Sequence, residues 1–280
     1  MVQMHWERDA KKQLGRVPFF VRPLVKRKVE ERVRDRGADK VTFADFQEAE
    51  SRYRSVAAGK SEEDLKRMMP RENVPGVEMV VVETCHNELS NCPNVLIKTG
   101  EWKKAIEDWV RQSGVSERLR KRIKDDKILY HQKFRISISG CPNACSRPQI
   151  ADLGITGFVR PEVDPAHCRF CGSCEEVCPD SAIEVKDAPP IFDRKACQGC
   201  TRCRDICPDK CISVSEPGAR IMVGGKLGRH PRLAEVIGEV DESSQVIKFL
   251  DRIVNDYIEK GEPGERFADF WARTGKEKKR

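Results

Sequence analysis

The chemistry of this 280-residue chain is concentrated in thirteen cysteines. Eight of them fall in two successive copies of one run, CRFCGSCEEVCP from Cys168 and CQGCTRCRDICP from Cys197. Each copy has the CxxCxxCxxxCP spacing that wraps thiolates around a cubane [4Fe-4S] cluster. Three cysteines on a tight loop point at three corners of one cube, and the fourth, followed by proline, reaches the neighbouring cube. The pattern therefore assigns Cys168, Cys171, Cys174 and Cys207 to one cluster, and Cys197, Cys200, Cys203 and Cys178 to the other. A disulfide framework needs an oxidising compartment, and the Met1–Asp9 start offers neither an apolar core nor a cleavage site. Zinc sites use two separated CxxC pairs more often than a repeated four-cysteine run with proline. One-electron transfer is the chemistry these residues point to.

Four further cysteines precede the repeats. Cys85 and Cys92 flank HNELSN, and Cys141 and Cys145 enclose PNA directly after the Phe134–Gly140 stretch. A pair from each of two loops can close a third cluster if strand ends fix where the thiolates point. Cys211 is left over once twelve ligands are assigned, and is expected to pack as a small apolar residue.

The elements that must position these loops can be read from periodicity. Val21, Val25, Val29 and Val33 repeat at helical spacing until Gly37, and Thr42 with Asp45 forms an N-cap for a second short helix. Ser51–Pro75 is polar, broken by Pro70 and Pro75, and reads as a linker. Val77–Val82 reads as a buried strand, Trp102–Val110 as an amphipathic helix ending near Gly114, and Phe134, Ile136 and Ile138 as one face of a strand. Ile221–Val223 predicts a strand leading into a glycine turn. Val246, Leu250, Ile253 and Tyr257 predict a helix stopped by Gly261. The class is α+β.

Bulk composition excludes other functions. With 52 basic and 45 acidic residues the net charge is +7, but no stacking aromatics interleave the Arg118–Lys127 run or the GKEKKR tail, so both read as solvated faces and nucleic acid is not the expected partner. No apolar stretch approaches the roughly 20 residues of a membrane span. A soluble protein of an anaerobic cytoplasm is expected.

Longer stretches carry a resemblance. KFRISISGCPNACSRPQIADLGITG, from Lys133 to Gly157, resembles the siroheme and [4Fe-4S] region of sulfite and nitrite reductases. IMVGGKLGRHP (Ile221–Pro231) and GERFADFWARTG (Gly264–Gly275) resemble the segments that close the same domain in dissimilatory and anaerobic sulfite reductases, after an inserted ferredoxin module. The resemblance implies that Cys85, Cys92, Cys141 and Cys145 hold the third cluster and that Cys145 also bridges to siroheme iron. It places Gly224, Gly225, Lys226, Gly228 and Arg229 near the polycarboxylate macrocycle. Counting back from Cys141, it puts Lys133 and His131 where the family has two substrate-binding lysines, as charge and proton donors to an oxyanion. Three departures stand beside it: the helical unit and linker stand where a half-domain normally precedes the first cysteine pair, Glu78 falls where an arginine is expected, and six residues separate Cys85 from Cys92 where five are common.

The start of the chain resembles the small helical domain of a light-independent protochlorophyllide reductase subunit. Trp6, Ala10, Leu14, VPFFVR (Val17–Arg22), Glu30, Gly37, Val41-Thr42 and Ala49 carry that likeness, which implies an accessory or docking unit. The expected organisation is a small helical domain over 1–55, a linker over 56–75, a reductase-like domain over 76–160 and 217–280, and a bacterial-type two-cluster ferredoxin module, βαβ-like, over 161–216. Three functional readings stand. The first is a sulfite or nitrite reductase-like oxidoreductase with three [4Fe-4S] clusters and siroheme, served by an electron-donor protein or redox subunit in a homo- or hetero-oligomer. The second is a haemless three-cluster electron-transfer subunit. The third, a cluster-based sensor, lacks any visible DNA-reading element.

Overall fold

The computed structural model describes residues 4–17, 19, 22–57 (52–57 as backbone only), 69–86 and 90–275. The chain divides into two compact units, Met1–Pro70 and Arg71–Arg280.

In the first unit, two short parallel strands, β1 (His5–Trp6) and β2 (Lys40–Val41), join three helices, α1 (Arg8–Arg16), α2 (Arg22–Asp35) and α3 (Phe43–Ala57). Ala10 and Leu14 from α1, Val29 and Val33 from α2, and Val41 and Phe46 make its core, with Val25 packed at the edge. Val21, expected in the same stripe, lies outside the described residues, as do Pro18 and Phe20 of the VPFFVR stretch. Trp6 Nε1 donates to Glu30 Oε1 at 2.9 Å, which ties β1 to α2. The expected cap is a reciprocal pair: Thr42 N donates to Asp45 Oδ2 at 2.8 Å and Asp45 N donates to Thr42 Oγ1 at 3.3 Å. The helix it opens runs to Ala57, into the stretch read as linker.

The second unit begins at the other end of that stretch. Strand β3 (Arg71–Glu72) pairs with β5 (Lys127–Ile128), and Asn73 Nδ2 donates to the carbonyls of Ile123 and Asp125, each at 2.9 Å. Its centre is a five-stranded sheet whose strands lie in the order 235–240, 218–223, 153–158, 134–139, 80–84. Strands β4 (Val80–Thr84), β6 (Phe134–Ser139) and β7 (Leu153–Phe158) are parallel, while β12 (Gly218–Val223) pairs antiparallel with both β7 and β13 (Glu235–Val240). Helices α4 (Thr99–Ser113) and α8 (Ser243–Lys260) cover the sheet through Trp102, Ile106, Val246, Leu250 and Ile253, and are joined where Trp109 Nε1 donates to Asp251 Oδ1 at 2.6 Å. Gly114, at φ +62, ends α4 in the left-handed conformation that glycine adopts without strain. The short α5 (Val115–Arg120) follows, and α9 (Phe267–Thr274) brings Phe267 edge-on to Phe134 at 4.8 Å.

Two features depart from the periodicity. The basic Arg118–Lys127 run is partly structural: Arg120 clamps Glu117 and Asn73, and Arg122 reaches the carbonyls of Tyr257 and Glu262. On β6 the hydroxyl face is not solvated, since Ser137 and Ser139 are 0% and 1% exposed. The chain after Cys145 folds back across that face, and Ser137 Oγ donates to the Ser146 carbonyl at 2.7 Å.

The cysteine repeats occupy one long connection. Phe158, the last residue of β7, is paired with Gly218, the first of β12, so residues 159–217 are topologically the loop of a hairpin. Within it β8 (Pro161–Val163) pairs antiparallel with β11 (Ile212–Val214), β9 (Ile183–Glu184) with β10 (Ile191–Phe192), and the short helices α6 (Ser173–Glu176) and α7 (Arg202–Ile206) pack together. Among the described residues no helix is long and apolar enough to cross a membrane.

Candidate functional site

Both repeats fold onto one backbone template. In the first, Phe170 (φ +59) and Gly172 (φ +78) are left-handed; in the second, Gly199 (φ +73) and Thr201 (φ +72) take the equivalent places. Ser181 (φ +49) and Lys210 (φ +52) also correspond, each three residues past the last cysteine of its run. Left-handed geometry costs an L-residue about 1–2 kcal/mol. Alternation between right- and left-handed residues turns successive N–H groups inward, making a concavity suited to anions, including iron–sulfur clusters.

The thiols of the two repeats line two separate hollows. One hollow is lined by Cys168, Cys171, Cys174 and Cys207; another is lined by Cys197, Cys200, Cys203 and Cys178. Each draws three cysteines from one repeat and the fourth from the other. Among the described residues no three His, Cys, Asp or Glu side chains converge tightly enough for a single metal ion. Burial pushes the Cys203 thiol up to about 11 and raises Cys174 and Cys197 as well. Such thiols ionise readily only when metal cations compensate the charge.

The third set sits at strand ends. Because β4 and β6 are parallel neighbours, the loops holding Cys85 and Cys141 leave the same edge of the sheet. Gly140 joins them: its N–H donates to Cys85 Sγ at 3.2 Å, and its carbonyl accepts from the N–H groups of Leu96 and Ile97 at 2.9 and 3.2 Å. Burial raises the Cys141 thiol, and the charges of Cys92, Cys145 and Cys85 raise it further, so each of the three acts on Cys141. Residues 87–89, inside the expected HNELSN loop, lie outside the described residues. Asn91, Ala144 and Arg147 are left-handed here. Behind Cys145, Ser146 Oγ meets Ser139 Oγ at 2.7 Å and donates to the Ile138 carbonyl at 2.9 Å, which holds the loop on the sheet. Cys141 is buried while Cys145 is exposed.

Other expected residues are elsewhere. His131 and Lys133 precede β6, at the opposite end of that strand from Cys141. Eight residues of extended chain separate Lys133 from Cys141, roughly 26 Å. They line a different cavity, with Asp152 and Arg266, in which burial pushes the Asp152 carboxyl up to about 6. Glu78 precedes β4 and lies at that same far end.

The glycine-rich loop is committed to the protein. A Cβ on Gly224 would stand 2.4 Å from Trp271 Cδ1, and one on Gly225 2.4 Å from the Gln149 carbonyl oxygen, so packing within the chain already accounts for both glycines. Lys226 is ion-paired with Asp269. Gly228 and Arg229 are exposed. Of the residues expected around siroheme, exposed Cys145 fits a tetrapyrrole ligand; Gly224, Gly225 and Lys226 do not provide the open, cationic cradle expected of them.

Two further residues carried no local signal. Cys211 is buried as expected, yet it also lines the first hollow, its Sγ 3.4 Å from Cys207 Sγ. Arg220, on β12, donates from Nη1 to Gln198 Oε1 at 3.0 Å and from Nη2 to the Cys197 carbonyl at 3.5 Å. The second repeat is thus held against the sheet. Val159, just past β7, donates its N–H to the Gly199 carbonyl at 3.2 Å and lines the second hollow. Next to β7 is β6, about 4.8 Å away, whose end carries Cys141.

Residues 80–280 match the family described as nitrite and sulphite reductase 4Fe-4S domain, and residues 6–49 match the proto-chlorophyllide reductase 57 kD subunit family. Coenzyme F420-dependent sulfite reductase of Methanocaldococcus jannaschii is 40% identical over 188 residues, 66% of this chain and 28% of that protein. One of the subunits of anaerobic sulfite reductase from Salmonella typhimurium is 34% identical over 73 residues, 25% of this chain and 20% of that protein. The chain therefore spans less than a third of either relative. The crystal structure of dissimilatory sulfite reductase I superposes with a TM-score of 0.46 at 18% identity, covering 72% of this chain and 51% of that one.

Proposed function

Because this chain belongs to the nitrite and sulphite reductase 4Fe-4S domain family, we propose that it is an iron–sulfur oxidoreductase component that carries electrons through three [4Fe-4S] clusters towards reduction of sulfite or a similar oxyanion. The carrying observation is the docking of the second repeat on Val159, one strand away from the loop of Cys141 and two from that of Cys85. In this reading electrons arrive at the cluster of Cys168, Cys171, Cys174 and Cys207, where Cys171 is exposed. They pass to the cluster of Cys197, Cys200, Cys203 and Cys178, and then to that of Cys85, Cys92, Cys141 and Cys145. Siroheme, when bound, would supply the iron at which the oxyanion is reduced. Cys145 is the residue here that would hold it, and the macrocycle's cationic surroundings would come from protein outside this chain. An electron-donor protein and a further reductase subunit are the partners this implies. His131 and Lys133 take no part, since they stand at the far end of β6.

The occupied glycine loop favours a second reading, the haemless electron-transfer subunit. One preparation separates the two. Protein made without oxygen in cells able to synthesise siroheme should show haem Soret and alpha bands, lost in Cys145→Ser, and sulfite-dependent oxidation of a reduced dye. About twelve irons per chain, four for each cluster, with no haem bands would establish the second reading instead.

A further inference from the structure

The two repeats share a backbone but not a surrounding charge. Against the first stands Arg169, an exposed side chain beside Cys171 that is neutralised by Asp209 at 3.2 Å. Against the second stands Arg220, which belongs to the sheet and not to the repeat. Its side chain is 14% exposed and lies over the Phe158 ring, 5.2 Å from the centroid. Arg160 sits over the same ring at 5.5 Å. Both guanidinium groups pair with one carboxylate, Glu239 on β13, so the group carries a net positive charge. Through Arg220 this charge reaches the carbonyl of Cys197 and the side chain of Gln198.

We infer that Arg220 is a positioning residue for electron transfer, by which the reductase-like sheet raises the reduction potential of the Cys197/Cys200/Cys203/Cys178 cluster above that of its twin. The inference rests on the three-cluster reading above. Reduction adds one negative charge to a cluster, and a cation fixed beside it in a water-poor setting stabilises the reduced state far more than an exposed cation does. A guanidinium suits this role, because it stays charged when buried. The consequence is a direction: an electron received at the outer cluster moves inward, towards the sheet and the third thiol set.

The sign of the charge makes the test decisive. In the full chain, prepared without oxygen, potentiometric titration followed by electron paramagnetic resonance reads the cluster potentials. Arg220→Gln is expected to lower one repeat cluster by about tenfold in its electron-sharing constant, which is about 59 mV for one electron, and to leave the other two clusters in place. Glu239→Gln, which removes the neutralising carboxylate, is expected to move the same cluster upward. A merely structural role would loosen the loop in both variants and shift both the same way. Shifts of equal sign, or intact clusters with unmoved potentials, would overturn the inference alone. A wild-type protein without the two repeat clusters would overturn the underlying reading and the inference with it.

Discussion

The two cysteine repeats are built on one template and used in opposite ways. At the third position of the loop the first repeat has Phe170, 42% exposed, and the second has Gly199. A Cβ on Gly199 would stand 2.3 Å from the Val159 carbonyl oxygen. Bulk is allowed where the loop faces out and forbidden where it abuts the sheet. Two positions on, the choice reverses, with Gly172 in the first repeat and Thr201 in the second, both left-handed. The lesson is that the thiol spacing makes the cluster, while the residues between the thiols decide whether it meets solvent or scaffold.

The largest expected effect tests the crossing that unites the pair. Cys178→Ser should cost the cluster of the second repeat, and Cys207→Ser that of the first, each read as loss of one cluster's resonance signal with the other retained. If each substitution removed the cluster of its own repeat, the crossed assignment would be wrong. Next in size is the docking contact. Gly199→Ala should destabilise the second unit by about 1–3 kcal/mol through strain and the clash with Val159. Phe170→Ala should stay within about 0.5 kcal/mol, both measured by denaturant unfolding of anoxic protein. Equal costs would remove the distinction between outward and docked loops.

Smaller effects sharpen it. Thr201→Gly relieves a left-handed β-branched residue and should stabilise by up to about 1 kcal/mol, provided the Thr201–Asp205 hydrogen bond at 2.9 Å contributes little. The repeats also differ at the position that follows the left-handed Ser181 and Lys210: Ala182 in the first and Cys211 in the second. Ala182 N donates to Cys178 Sγ at 3.3 Å, whereas Cys211 brings an extra thiol to Cys207. Cys211→Ala should therefore make the two sites more alike, leaving the iron content unchanged and shifting only the first cluster's signal. A loss of iron would instead make Cys211 a ligand.

Much of this was legible in the sequence because it depends on local spacing. Crossed thiol sets follow from CxxCxxCxxxCP, and the helices from Trp102 and Val246 follow from apolar periodicity closed by Gly114 and Gly261. What escaped depends on pairing between distant segments. Arg71–Asn73 reads as polar linker until Lys127–Ile128 is beside it. Nothing local buries Ser137 and Ser139, opposite the apolar face of β6, until the chain after Cys145 folds over them. The distance of His131 and Lys133 from Cys141 has a simple cause: counting back along a strand moves about 3.3 Å per residue away from the loop that holds the thiols. Arg220 is invisible for the same reason, since only the pairing of β12 with β7 carries it to Cys197.

One measurement bears most directly on the whole account. Mössbauer spectroscopy of anoxically prepared, iron-57-enriched protein, with iron and acid-labile sulfide determined on the same sample, should return about twelve irons per chain, all as [4Fe-4S]. Zinc in the thiol sites, cystines, or a stoichiometry of one cluster in fully folded protein would contradict it.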